Sequence, residues 1–309
     1  MRALVTGSTG LCGRALVQHL RAAGVGVDRV SAREASDGVE CVDFEDAGTL
    51  AQLLGRLRPR FIFHLSGALS AADPAELIKA NCLDAAALIE AILASGIDTR
   101  LLVVGSAAEY GPLEVAQLPA REEQICRPRT AYGAAKLAQT RLALARAAAV
   151  PVVVARPSNI VGAGMPESLA LGRFAARLAA LEQQEAPAVL EVGDLSAVRD
   201  FIDVADVADL YWQLINSPAA FGQVVNVATG RGVTMANALE LLIEAFGIEV
   251  SVSSGLVDNQ RSGATSAFIA STERLERLIG PREFIPLRQS LGHVAAEARR
   301  AAGKLEGTT

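Results

Sequence analysis

Short apolar runs alternate with longer amphipathic stretches through the first half of the chain. Arg2 to Thr6, Val27 to Ser31, Arg60 to Leu65, Leu101 to Gly105 and Val150 to Ala155 are rich in Val, Leu, Ile and Phe and are bounded by turn residues. Continuous apolar runs of this length predict strands covered on both faces, the environment of a parallel sheet. The segments between them carry apolar residues at helical spacing. Strand then helix, repeated with connections of crossover length, predicts an α/β fold with a right-handed, doubly wound parallel sheet.

After Arg156 the pattern loosens into Pro157, Gly162, Gly164 and Pro166. A helix is expected near Ser168 to Gln184, an isolated strand at Val189 to Val192, and a terminal helix from Ile285 to Arg300. Pro218, Gly222, Gly280 and Pro281 mark turns.

Composition narrows the function classes. Of 309 residues, 51% are hydrophobic but only 4% aromatic, which suits helices packed on strands of small branched side chains. Lys and Arg total 29 against 34 Asp and Glu, a formal charge of −5, and no basic stripe is present to follow a nucleic acid. No apolar stretch has the length of a membrane span, and the first strand enters a glycine-rich turn too early to leave room for a leader, so a cytoplasmic protein is expected. Cys12, Cys41, Cys82 and Cys126 are scattered and do not cluster with His19, His64 or His293, so buried free thiols are expected and no metal.

The first strand runs directly into Gly7, Ser8, Thr9, Gly10, Leu11, Cys12 and Gly13, and a helix follows. Gly7 permits the tight turn, Gly10 lets backbone approach a pyrophosphate, and Gly13 lets the helix lie close to the strand. The helix N-terminus then offers free N–H groups to anionic oxygens, so a dinucleotide cofactor is expected in a Rossmann-type domain. The second strand ends in Ser31, Ala32 and Arg33, where an NAD site commonly places an acid. Arg33 can pair with a 2′-phosphate, which tilts the expectation towards NADP(H) over NAD(H); otherwise it is a solvated surface arginine. Asp43 is a candidate acceptor for the adenine amino group or, alternatively, a turn or helix cap. Residues 1–160 are expected to bind cofactor and 161–309 mainly substrate, in a smaller α/β lobe, with a strand or two after Gly222 returning to the large sheet.

Tyr132 and Lys136 stand one helical turn apart in YGAAK, on one face of an alanine-rich helix. A nearby ammonium favours phenolate, so the tyrosine is expected to have a lowered pKa and to serve as acid or base. Ser106 follows a strand at its carboxyl end, where open α/β sheets gather ligands, and its hydroxyl can bond a reacting oxygen. Taken singly, a YxxxK spacing or a serine at a strand end is common; the three gain meaning together with the glycine turn.

These residues, in this order, resemble the extended short-chain dehydrogenase/reductases, a superfamily of nucleotide-sugar enzymes. The resemblance covers nearly the whole chain and rests on GSTGLCG, FHLSG from Phe63 to Gly67, GSAAEYG from Gly105 to Gly111, YGAAK, RPSNIVGAG from Arg156 to Gly164, and VRDFIDVADVADLYW from Val198 to Trp212. It implies a catalytic triad of Ser106, Tyr132 and Lys136 supported by Asn81. It implies a cofactor site of Gly7, Thr9, Gly10, Leu11, Cys12, Arg33, Asp43, Phe44, Leu65, Ser66, Gly67, Asn81, Tyr132, Lys136 and Pro157. Within the superfamily the chain looks most similar to GDP-4-keto-6-deoxy-D-mannose reductases, on EVGDLSAVRDFIDVADV and the Arg261 to Ser271 segment. That likeness implies a GDP-linked sugar held by Ser106, Ala107, Asn159, Val192, Arg199 and Arg261, with the two arginines on nucleotide and diphosphate; guanidinium forks suit phosphate oxygens.

The chain departs from the family pattern at Ala107 and Ala108, where such reductases tend to be polar, at Ala264, where an acid is usual, and in a shorter segment between Ser70 and Asn81. Ala107 and Ala108 cannot move protons, which argues against a 4,6-dehydratase, and Glu109 is expected to point away along extended backbone. Cys126 and His64 do not match the extra pair of bifunctional epimerase-reductases. Reduction of a nucleotide-linked 4-ketosugar by NAD(P)H is therefore expected, with a C4 epimerase retaining NAD and a non-catalytic cofactor-binding scaffold as alternatives. Alanine-rich segments at Pro74 to Ala94 and Tyr132 to Ala148 predict a homodimer through a four-helix interface.

Overall fold

The computed structural model describes residues 1–32, 38–183, 188–254 and 267–306. In chain order its first half comprises β1 (Arg2–Thr6), α1 (Leu11–Ala22), β2 (Gly26–Ser31), β3 (Glu40–Cys41), α2 (Ala47–Leu57), β4 (Phe61–His64), α3 (Pro74–Ile78), α4 (Asp84–Ser95), β5 (Arg100–Val104), α5 (Ala131–Ala145) and β6 (Val152–Pro157). The second half comprises β7 (Asn159–Val161), α6 (Ala170–Leu181), β8 (Ala188–Val192), β9 (Val198–Asp203), α7 (Val204–Asn216), β10 (Val224–Val227), β11 (Gly232–Thr234), α8 (Met235–Phe246), β12 (Val250–Ser254), α9 (Glu273–Ile279) and α10 (Leu287–Glu306).

Seven parallel strands form the main sheet in the order β10-β6-β5-β4-β1-β2-β3. Alternate residues of each strand face opposite layers. Ala3, Val5, Phe61, Phe63, Leu102 and Val153 pack under α1 and α7, whereas Leu4, Ile62, Leu101, Val103, Val152 and Val154 pack under α2, α4 and α5. Burial on both faces is why these strands have no polar alternation. The chain leaves β1 in one direction to form β2 and β3 and in the other to form β4, β5 and β6, so the strand order reverses between β1 and β4. A crevice opens there at the carboxyl ends, which is where open α/β sheets bind ligands.

One strand after Gly222, β10, does rejoin the large sheet beside β6. The strand expected to stand alone at Val189 to Val192 is instead β8, which pairs in parallel with β12. The third strand, β3, has only two residues, and Val42 and Asp43 follow it. A third cluster, with Leu171, Phe174 and Leu178 of α6, Leu239 and Leu242 of α8 and Leu291 and Val294 of α10, builds the smaller lobe beside that crevice. Among the described residues no helix is long and apolar enough to cross a membrane. All four cysteines are free; Cys82 is buried, but Cys41 is exposed on two-residue β3 at the sheet edge.

Candidate active site

A cleft of about 1620 Å³ runs from the glycine-rich turn, past the carboxyl ends of β4, β5 and β6, to the smaller lobe. Gly7, Gly10, Leu11, Cys12, Leu65, Gly67, Asn81, Ser106, Tyr132, Lys136, Pro157, Asn159, Val192 and Arg199 all line it.

The turn at its first end is fixed by sterics. Gly7 has φ +66°, and a side chain there would strike the backbone of Leu65, whose carbon lies 2.7 Å from the would-be Cβ. Gly13 sits still closer, its would-be Cβ 2.1 Å from the Gly7 carbonyl oxygen, so α1 packs directly against the turn. The α1 N-terminus has no side-chain cap and no acid in its first turn. Its free N–H groups and positive dipole end therefore face the cleft, an arrangement that fits the pyrophosphate of a dinucleotide.

Asn81 lies in a π-helical turn, 79–83, that joins α3 to α4. Its Nδ2 donates to Leu77 O at 3.0 Å and Ala68 O at 2.8 Å, and its Oδ1 accepts the Ala68 N–H at 3.2 Å. The wide turn and the strand-end loop are thereby locked together beside Lys136, a common use of such a helix defect at functional sites.

Thr130 caps α5 by accepting the Gly133 N–H at 3.0 Å, which sets Tyr132 and Lys136 on the cleft side. Lys136 is almost fully buried, and its Nζ donates to Val104 O at 2.9 Å and Gln139 Oε1 at 3.0 Å. Burial pulls its pKa down to about 8, partly opposed by the Glu109 charge. Burial also governs Tyr132, and it raises the phenol above its ordinary value, with the Ser106 hydroxyl pulling the other way. The expected lowering by the ammonium is absent because Lys136 is turned towards Val104 and Gln139 and because desolvation outweighs charge here. Neutral phenol is thus the resting form, which suits a proton donor.

Ser106 ends the extended backbone after β5, and its Oγ accepts the Ala108 N–H at 3.1 Å. Residues Ala107–Glu109 form a 3-10 turn, not the extended backbone expected of them. Glu109 does point away from the cleft, completely buried and paired with Arg156 at 2.7 Å.

The other residues that the sequence singles out lie elsewhere. Phe44 is buried in the core beneath the sheet, Asp43 Oδ1 accepts the Glu45 N–H at 2.9 Å in a turn, and Thr9 presents its carbonyl to Arg14 at 2.6 Å. Ser66 lies just behind the wall and donates its N–H to Thr6 Oγ1 at 3.2 Å, while Ala107 is half-buried in the 3-10 turn. Arg33, Arg261 and Ala264 lie outside the described residues.

At the far end Arg199 is half-buried, with Nη1 on Val198 O at 2.8 Å, and among the described residues no carboxylate pairs with it. Burial lowers its pKa from the ordinary value, the mark of a desolvated cation that an anion would satisfy. Arg173 and Arg177 of α6 join it on the wall. Sequence reasoning missed these two, although their i, i+4 spacing in an expected helix places them on one face.

His64 sits behind the cleft, fully buried, with Nδ1 3.0 Å from Thr6 Oγ1. Burial, then the Lys136 charge, lower its pKa from 6.5 to about 3. The unfolded chain takes up this proton below about pH 6.5 while the folded chain does not until about pH 3, so stability is lost as pH falls through that window. His64→Gln is expected to flatten the acid side of the stability curve, measured by urea unfolding across that range; a slope identical to wild type would contradict the assignment.

Known proteins share this architecture. The model of the NAD dependent epimerase/dehydratase family matches residues 3–228. GDP-6-deoxy-D-mannose reductase of Pseudomonas aeruginosa is 30% identical over 302 residues, covering 96% of each chain. dTDP-6-deoxy-L-talose 4-dehydrogenase (NAD(P)(+)) of Kitasatospora kifunensis is 34% identical over 262 residues, 81% of each chain. Among solved structures, RMD from Pseudomonas aeruginosa complexed with NADPH superposes with TM-score 0.86 at 28% identity, covering 97% of this chain and 99% of that one. MoeE5 in complex with UDP-glucuronic acid and NAD gives TM-score 0.83 at 25% identity, covering 97% of this chain and all of that one, 100%. The chain belongs to the NAD-dependent epimerase/dehydratase family, NAD(P)-dependent oxidoreductases of the extended short-chain dehydrogenase/reductase type.

Proposed function

We propose that this protein reduces the C4 ketone of a nucleotide-linked 4-keto-6-deoxyhexose with NAD(P)H, a GDP-linked sugar being favoured. The observation that carries the reading is one continuous cleft that joins an uncapped helix N-terminus, the Ser106, Tyr132 and Lys136 side chains, and Arg199, which has no carboxylate partner among the described residues. Relatives named for reduction or 4-dehydrogenation of GDP- and dTDP-linked 6-deoxysugars support it.

When bound, the nicotinamide supplies the hydride. Gly7, Gly10, Leu11 and Cys12 would hold the pyrophosphate end and Asn81, Lys136 and Pro157 the nicotinamide ribose end. Ser106 donates a hydrogen bond to the ketone oxygen and orients it, keeping its own proton; Tyr132, neutral at working pH, transfers the one proton that completes the alcohol. Lys136 would hold the ribose, and a positive charge there favours the phenolate that remains. Asn159 and Val192 would border the sugar, and Arg199 and Arg261 would pair with the diphosphate.

The sequence Ser31, Ala32, Arg33, with no acidic residue in it, supports NADP(H) over NAD(H), since an arginine can pair with a 2′-phosphate. Residues 1–160 would then serve the cofactor and 161–309 mainly the sugar, and both ligands would be met in the cytoplasm. Ile78, Leu83 and Leu93 near α3 and α4 and Leu142 of α5 are exposed apolar side chains on the alanine-rich helices, which supports a homodimer through that face.

The test is a panel of GDP-, dTDP-, UDP- and CDP-linked 4-keto-6-deoxysugars with NADPH and NADH. One member, GDP-linked, is expected to oxidise one cofactor per ketone. A protein that purifies with tightly held NAD and interconverts C4 alcohols without net cofactor use would instead be an epimerase, and cofactor binding with no turnover of any sugar would leave a scaffold.

A further inference from the structure

The turn that carries Ser106 is held from behind. Ser106 donates its N–H to Glu109 Oε1 at 2.8 Å, and its carbonyl accepts the Glu109 N–H at 3.0 Å. With Oγ also accepting from Ala108, the backbone and one hydroxyl lone pair of Ser106 are all engaged, and its hydroxyl proton is left to donate elsewhere.

Glu109 reaches Ser106 only because residue 105 has no side chain: a Cβ there would lie 2.4 Å from Glu109 Oε1. Its other oxygen accepts from Arg156 Nη2 at 2.7 Å, both groups being buried. Arg156 lies over the Tyr110 ring, 4.5 Å from its centroid, and Tyr110 donates its hydroxyl to Asn226 Oδ1 at 2.7 Å. The clamp therefore joins the loop after β5 to β6 and β10. Arg156 immediately precedes Pro157, Ser158 and Asn159 on the cleft wall.

We propose that Glu109 is a positioning residue for the reaction: its carboxylate fixes the Ser106 backbone so that the serine hydroxyl donates into the cleft, and Arg156 holds that carboxylate in place. The proposal rests on the role given to Ser106 above. A buried ion pair is weak evidence of stabilisation, since apolar replacement of both partners is often neutral. Acceptance of the Ser106 N–H is a task that no apolar side chain can perform. The Glu109 charge also reaches the proton-transfer pair, where burial dominates and the carboxylate adds a rise at both Tyr132 and Lys136.

Two double variants isolate the hydrogen bond. Glu109→Gln with Arg156→Met and Glu109→Met with Arg156→Met both lack the ion pair, but only the first retains an acceptor for the Ser106 N–H. With the ketosugar that the panel identifies, kcat of the Gln double is expected to exceed that of the Met double by roughly 10- to 100-fold, the cost of a misplaced reacting group. KM for NAD(P)H should be the same in both. Equal kcat in the two doubles, or parallel changes in kcat and KM, would overturn the proposal. If neither double folds, Gly105→Ala decides: lower kcat at constant KM for NAD(P)H supports the proposal, and wild-type kcat overturns it. Ser106→Ala, run alongside, separates the layers: full kcat there removes the role of Ser106 and the inference with it, whereas impaired Ser106→Ala with equal doubles removes only the role of Glu109.

Discussion

Replacing Tyr132 by Phe is expected to lower kcat roughly 10²- to 10⁴-fold, the range a positioned general acid contributes, with little change in NAD(P)H affinity. The ring stays and only the hydroxyl goes, so the helix, its Thr130 cap and the cleft wall are preserved. Burial keeps the wild-type phenol protonated beyond the ordinary tyrosine range, so the alkaline fall in reduction rate is expected from loss of the Lys136 ammonium, whose pKa is about 8, before the phenol ionises. Steady-state kinetics from neutral to alkaline pH, with a direct titration of NADPH binding, measure both effects. A Phe variant with near wild-type kcat would transfer the proton-donor role to another group.

The second large effect is expected at the other end of the cleft. Gly13→Ala places a methyl 2.1 Å from the Gly7 carbonyl oxygen and 2.6 Å from Ser8 Cα. Both neighbours are backbone, and no rotamer change can relieve the clash, so the turn and α1 must separate. Overpacking of this kind costs about 1–3 kcal/mol or more in stability. Because the same movement withdraws the helix N-terminus from the pyrophosphate, NAD(P)H affinity should fall roughly 100-fold, equivalent to about 2.7 kcal/mol. Calorimetric titration and a thermal melt check the two parts. Unchanged affinity in Gly13→Ala would mean that the dinucleotide binds elsewhere.

What could be read from sequence followed the range of the forces involved. Four of the five early strands were legible because they are apolar on both faces, whereas β2 carries Asp28 and Arg29 and is only partly buried, and the glycine turn was legible because Gly7 and Gly13 answer to local sterics. The β8 and β12 pairing was not legible, since it joins residues about sixty apart in the chain and neither strand carries a mark of its partner. Ser106, Tyr132 and Lys136 were legible as residue types at strand ends and one helical turn. Their charge states were not: the raised Tyr132 and the lowered Lys136 come from burial by several elements at once. Glu109 illustrates the same limit. Its direction was anticipated, but the 3-10 turn, the Arg156 partner and the bond to Ser106 depend on contacts that span nearly fifty residues. Arg173 and Arg177 were within reach of a helical-face count.

The central claim is direct hydride delivery to a sugar ketone beside Tyr132. It is tested by single turnover with NADPH deuterated at the transferred position of the nicotinamide C4 and a GDP-linked 4-keto-6-deoxysugar. The account predicts a product alcohol carrying one deuteron at the sugar C4 in a single configuration, formed in step with cofactor oxidation. Deuterium absent from the sugar, or deuterium at C4 in both configurations, would contradict it.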